Sequence, residues 1–307
     1  MGSAKNLAHL ALLWSTILHA QSPATFRVDT KLALVRFQVS PERGKFLTDL
    51  RAEDIEIRED GVPQEIALFE GGRFYPRRLP IEIALLFDCS RSVQEAGKLN
   101  TNVFPRGLLD EYENASLAIY AFSDKLVRLT PATRTMTDLN KALAVVGQFP
   151  AGKTPLFEYI TQTMREMTIG GREALRILVV FSDGESTRPG DEWLDTKAID
   201  AAKELGIAIY PVLLSRPDLA ATIERQIISV QKFLDLAKAT GGEDTITLDN
   251  DEVLPRVLRT VAARVKFEYV VGYRPASGTM RRQHEVQVVW RTKPRGEIVG
   301  GARVLVH

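Results

Sequence analysis

Residues 81–92 read Ile-Glu-Ile-Ala-Leu-Leu-Phe-Asp-Cys-Ser-Arg-Ser. The first seven are almost all apolar, as in a strand covered on both faces. The run stops at an acid followed by two hydroxyls at alternate positions. Similar apolar runs recur at 117–122, 176–181 and 207–214. Helix-like stretches lie between and after them, at 93–112, 139–146, 156–167, 193–205 and 223–239. A short last strand at 245–248 and a last helix at 251–265 complete the series, with Thr240-Gly241-Gly242 as a C-cap before them. Strands and helices alternating at this spacing predict an α/β fold, a doubly wound and mostly parallel sheet with helices on both faces. Residues 125–129 fit an antiparallel edge strand after the Ser123-Asp124 turn.

Outside 80–265 the pattern is β. Residues 26–39 alternate apolar and polar, and a strand beginning at Leu50 runs into Asp60-Gly61, a hairpin signal, before 64–69 returns. After the helix at 251–265, strands are expected at 267–273, 284–292 and 303–306. Neither set can bury both faces of a sheet alone. The economical solution is one small β-sandwich assembled from 22–79 and 266–307, with the α/β domain inserted in it; the alternative is two separate β units flanking that domain.

The N-terminus reads as an export signal over residues 1–21. Lys5 supplies positive charge, residues 7–18 are uncharged and mostly apolar, and the stretch is short for a membrane span. An ordinary amphipathic first helix is the alternative. No later apolar run suggests a transmembrane anchor, so the expected location is the periplasm or the medium. Lys plus Arg number 40 against 39 acids, which gives no reason to expect nucleic acid as a partner. Cys89 is the single cysteine, which excludes an internal disulfide and a cysteine-based zinc cluster.

In a doubly wound sheet, ligands sit at the carboxyl ends of the strands. Asp88, Ser90 and Ser92 leave such an end with three oxygens aimed at one place, and oxygen donors suit hard cations. Taken alone the pattern is common, because Asp or Ser after a strand often serves only as an N-cap. Two further loops join it. Gly152-Lys153-Thr154-Pro155-Leu156 opens a helix and offers Thr154, and Phe181-Ser182-Asp183-Gly184 ends a buried strand and offers Asp183.

This order of Asp-x-Ser-x-Ser, Gly-x-Thr-Pro-Leu and Ser-Asp-Gly resembles the metal-ion-dependent adhesion site of von Willebrand factor A (VWA) domains, across residues 80–265. The resemblance implies that Asp88, Ser90, Ser92, Thr154 and Asp183 hold Mg²⁺, or Mn²⁺ or Ca²⁺, directly or through water. It further implies that an Asp or Glu carboxylate of a protein partner completes the shell. Arg91, Lys153 and Arg188 are candidates for a rim that would steer an acidic partner, the alternative being that they are simple solvated charges. The chain as a whole resembles secreted bacterial VWFA-related proteins of acidobacterial type, in Ala52-Glu53-Asp54-Ile55, Glu59-Asp60-Gly61 and Tyr269-Val270-Val271-Gly272-Tyr273. The expected function is metal-dependent protein binding or adhesion. Alternatives are an envelope-assembly scaffold with a stabilising metal, or a metal-assisted hydrolase. An enzyme is the less favoured class: His9, His19, His284 and His307 all lie outside 80–265, so no Ser-His-Asp arrangement can form there.

Overall fold

The computed structural model describes residues 32–41, 46–95, 107–214, 224–243, 245–246, 253–275, 283–300 and 302–306. The expected export segment lies outside them, as does the middle of the expected helix at 93–112. Strands β1 (Ala33–Ser40), β2 (Ile55–Glu59), β3 (Val62–Gln64) and β4 (Leu68–Glu70) precede the central layers. The Asp-Gly turn behaves as its residues demand: Asp60 and Gly61 take φ of 48° and 81°, and β2 pairs antiparallel with β3 across them. The return segment does not continue as one strand. Val62–Gln64 stays with β2, whereas Leu68–Glu70 crosses to another sheet.

The central sheet has the order β10-β9-β8-β5-β6-β7. It comprises β5 (Ile81–Asp88), β6 (Ala115–Phe122), β7 (Leu126–Thr133), β8 (Leu175–Ser182), β9 (Ile207–Leu213) and β10 (Thr245–Ile246). All neighbours are parallel except β7, the antiparallel edge. Among the described residues the α-helices flanking it are α1 (Arg91–Glu95), α2 (Gly107–Glu111), α3 (Met136–Val146), α4 (Leu156–Met167), α5 (Asp195–Leu205), α6 (Glu224–Thr240) and α7 (Val253–Phe267).

Strand periodicity explains the continuous apolar runs. Ile81, Ile83, Leu85 and Phe87 join the core under α2, α3 and α7, while Ala84 and Leu86 join the one under α4, α5 and α6. Phe87 and Phe181, opposite one another on β5 and β8, stack with centroids 4.6 Å apart. From β5 the chain steps to β6 on one side and later returns to β8 on the other, so the β5/β8 border is the topological switch point.

The remaining strands are β11 (Tyr269–Tyr273), β12 (Gln283–Trp290), β13 (Glu297–Gly300) and β14 (Ala302–Val306). Strand β13 is not among the expected strands: Ile298 and Val299 favour β structure, but the run is only four residues long and ends at Gly300. Both chain ends contribute to both outer sheets, ordered β13-β1-β11-β4 and β14-β12-β2-β3. Phe37, Val39, Ile55, Ile57, Tyr269, Val271 and Val286 fill one core between them.

This sandwich meets the central layers at the amino end of β8. Arg36 on β1 donates two hydrogen bonds of 2.9 Å to the Glu268 carboxylate, just beyond α7, and one of 2.7 Å to the Arg176 carbonyl. The last turns of α7 are capped from outside: Gln38 donates to the Arg264 carbonyl, Tyr112 to Ala262, and Arg77 to Val265 and Glu268. Of these, the Arg264 and Val265 carbonyls are among the last four that the helix end leaves open. Two atoms in this region, Gln38 Oε1 and Arg77 Nη1, are buried without a hydrogen-bond partner.

Candidate functional site

Four of the five expected ligands are gathered at the switch point. Asp88 closes β5 and is fully buried; Ser90 and Ser92 follow in the turn that opens α1. The Asp88 carboxylate accepts from the Ser90 amide at 2.8 Å on one oxygen and from the Ser182 hydroxyl at 2.6 Å on the other. Ser90 Oγ and Ser92 Oγ are 3.1 Å apart, and the Ser92 hydroxyl donates to Asp183 Oδ2 at 2.5 Å. The second Asp183 oxygen accepts from the Glu185 amide. Loops from β5 and β8 are thus joined by one run of oxygen atoms.

Thr154 is placed differently. It is buried, and it is tied by its backbone to the loop after β8: its amide donates to Thr187 Oγ1 at 2.7 Å, and its carbonyl accepts from the Thr187 amide and the Ser186 hydroxyl. Its own hydroxyl lies 3.5 Å from that of Thr187, and no hydrogen bond joins it to the other four expected ligands.

Electrostatics mark the carboxylate pair. Burial raises the Asp88 pKa most and the neighbouring Asp183 charge raises it further, against the hydrogen bonds from Ser182 and Ser90. Cys89 points to the opposite face, toward the Phe87 and Val146 carbonyls, and burial with the nearby Asp88 charge pushes its thiol up to about 12. It is a packed, protonated side chain.

Several residues that shape the site were not singled out in the sequence. Ser182 supports Asp88, and strand register would have found it: once Phe87 is set opposite Phe181, Ser182 falls opposite Asp88. Asp191 is buried and accepts from the Phe157 and Glu158 amides, capping α4, while also accepting from the Ser186 hydroxyl. Its raised pKa comes mainly from burial. Gly184 holds φ of 76°, which lets the chain turn back over α6 immediately after Asp183. Of the expected rim, Arg91 and Lys153 are exposed, and Arg188, also exposed, forms an ion pair with Glu158.

The donor set is consistent with a hard divalent cation, being made of hydroxyl and carboxylate oxygens with neither imidazole nor thiolate. Among the described residues no group of three or more His, Cys, Asp or Glu side chains is arranged to hold a metal, so a site here would depend on its hydroxyls.

A mostly parallel, doubly wound sheet between helical layers, with its switch point at β5 and β8, defines the class of fold. Residues 82–233 match the family model of the von Willebrand factor type A domain, and the central layers are such a domain. No curated protein matches the chain. Among solved structures, the chain is similar to an aerotolerance-related membrane protein of Bacteroides fragilis (15% identity, 60% of this chain and 99% of that one, TM-score 0.44). It is also similar to the vWF domain of the type V pili tip protein Mfa5 of Porphyromonas gingivalis (10% identity, 62% and 97%, TM-score 0.45). A third similar structure is the pilus adhesin SpaC of Lactobacillus rhamnosus GG in its open conformation (11% identity, 82% and 47%, TM-score 0.45). Among the described residues no helix is long and apolar enough to cross a membrane.

Proposed function

We propose that this protein is an exported, divalent-cation-dependent protein-binding module. In this reading Asp88, Ser90, Ser92, Thr154 and Asp183 hold Mg²⁺, Mn²⁺ or Ca²⁺, and an Asp or Glu carboxylate of a partner completes the coordination. The observation that carries the reading is the continuous run Asp88–Ser90–Ser92–Asp183, in which two carboxylates approach closely enough for one to raise the other's pKa. A bound cation would compensate that pair. It would supply a Lewis-acidic anchor for an incoming carboxylate, and Mg²⁺ in protein sites commonly keeps several waters that a partner can displace.

The chain's own residues account for the rest. Ser182 holds both the Asp88 carboxylate and the turn at Gly184, accepting from the Gly184 amide at 3.0 Å while donating to Asp88. Asp88 therefore has both oxygens engaged by the protein, which suits binding through water. The exposed Ser92 is the ligand nearest to solvent. Arg91 and Lys153 add positive charge around an anionic centre, an arrangement that favours approach of an acidic partner.

The test is calorimetric titration of Mg²⁺ and Mn²⁺ into residues 22–307, beside an Asp88→Ala Asp183→Ala variant. Saturable one-site binding that disappears in the variant is expected. Absence of binding to the unsubstituted protein would overturn the metal reading. A metal whose affinity is unchanged by millimolar acetate or glutamate would favour a scaffold with a stabilising ion.

A further inference from the structure

The loop that carries Thr154 is held on two flanks, and only one belongs to the machinery above. On the β8 side, Ser186 and Thr187 grip the Thr154 backbone. On the β6 side stands Asp124, in the turn between β6 and β7. Asp124 Oδ1 accepts from the Lys153 amide at 2.8 Å, and its main-chain carbonyl accepts from the Tyr159 hydroxyl at 2.8 Å. The carboxylate lies flat against Gly152: a Cβ at that position would come 2.5 Å from Asp124 Cγ and 2.6 and 2.7 Å from its two oxygens. A side chain at 152 and a carboxylate at 124 therefore exclude one another.

We propose that Asp124 is a positioning residue of the metal site, setting the place of Thr154 through the Lys153 peptide; this rests on the metal reading above. The peptide that Asp124 grips is the one next to Thr154, and the Thr154 hydroxyl has no hydrogen bond to the other four ligands that would place it. Apart from the 3.5 Å approach of its hydroxyl to Thr187 Oγ1, its position is set by its backbone. With Asp124 present the strap over 151–155 is fixed from β6 and from β8, and with it removed the strap hangs from β8 alone. Gly152 is the complementary half, since it provides the space in which the carboxylate sits. Outer residues that orient a ligand typically change metal affinity by about 10- to 100-fold when removed.

The experiment is Mg²⁺ titration of the whole chain from residue 22 with Asp124→Ala, Asp124→Asn, Gly152→Ala and the double variant Asp124→Ala Gly152→Ala. Each titration is accompanied by the metal-free melting temperature and by hydrogen exchange at the Lys153 amide. Asp124→Ala and Gly152→Ala should each weaken Mg²⁺ by about tenfold, at the lower end of that range. The double variant should be no weaker than either single one, because both remove the same contact. Asp124→Asn keeps an acceptor oxygen for Lys153 and should bind within about threefold of the unsubstituted protein, at the level of a neutral hydrogen-bond partner. Lys153 exchange should quicken in Asp124→Ala before any metal is added. Unchanged Mg²⁺ affinity in Asp124→Ala, with the unsubstituted protein binding normally, would overturn the positioning role and leave the metal reading intact. No Mg²⁺ binding by the unsubstituted protein would overturn both. A fall in affinity matched by loss of the metal-free fold in Asp124→Ala, without rescue by Asp124→Asn, would also overturn it.

Discussion

At one end of β8, Arg36 meets Glu268 through two hydrogen bonds and fastens the sandwich to the Arg176 carbonyl. At the other end, Asp183 follows the strand and meets Ser92 and the like charge of Asp88. Both ends are polar and largely buried, yet opposite charges are matched at the junction and like charges are gathered at the rim. A buried ion pair with its hydrogen bonds made is satisfied within the protein. A buried pair of carboxylates is electrostatically incomplete without a proton or a cation. The difference separates a place whose charges are matched within the protein from one whose like charges are not.

The comparison can be broken at the junction first. Glu268→Ala leaves Arg36 buried and unpaired, and should cost about 3–5 kcal/mol of stability, read by denaturant unfolding. A loss under about 1 kcal/mol would place the junction's strength in its apolar contacts instead.

At the rim the sign is reversed. The folded pKa of Asp88 lies above that of an unfolded Asp, so this group's contribution to stability is fully present at low pH and is lost as pH rises through the folded pKa. Metal-free protein should thus melt at a lower temperature near pH 8 than near pH 5 through this group. Asp183→Asn should flatten that slope, and Mg²⁺ should stabilise more strongly at the higher pH. A metal-free slope that survives Asp183→Asn unchanged would mean that burial alone raises Asp88.

Chemistry at Cys89 sharpens the contrast between the two faces of the turn that follows β5. With its thiol buried and pushed up to about 12, Cys89 should resist alkylation at pH 8 in the folded protein and react promptly in denaturant. Rapid labelling of the native chain would show that the turn opens. The smallest effect is expected at Arg188, whose pairing with Glu158 is exposed on both sides. Arg188→Ala should change stability by less than about 0.5 kcal/mol, in contrast with the arginines at the junction.

Much of this was legible in the sequence where periodicity carried the information. The apolar run over 81–87 defined a strand buried on two faces, and the sheet places its residues alternately in the two cores. The 156–167 helix agrees with α4 residue for residue. Expectation and structure part where a segment serves two partners. The 64–69 return reads as one strand, but β3 ends its pairing with β2 at Gln64, and Leu68–Glu70 pairs instead with β11 in the other outer sheet. At the site, Asp88, Ser90, Ser92 and Asp183 lie together as their places in the sequence lead one to expect, whereas Thr154 makes no hydrogen bond to them and the supporting residues carry no mark in the sequence. Ser182, Asp124, Asp191 and Thr187 act across strands and loops distant in sequence, and their side-chain types are ordinary at any turn. Register exposes Ser182; the clasp of Asp124 on Gly152 emerges only from three dimensions.

The pairing of both chain ends in the outer sheets has a mechanical side. Strand β1 lies between β11 and β13, and β14 is zipped along β12. Tension applied to the polypeptide at Ala33 and Val306 passes first into these antiparallel ladders and the sandwich core. The loops at the carboxyl ends of β5 and β8 belong to neither ladder, so a pull on the sandwich is expected to leave them in place.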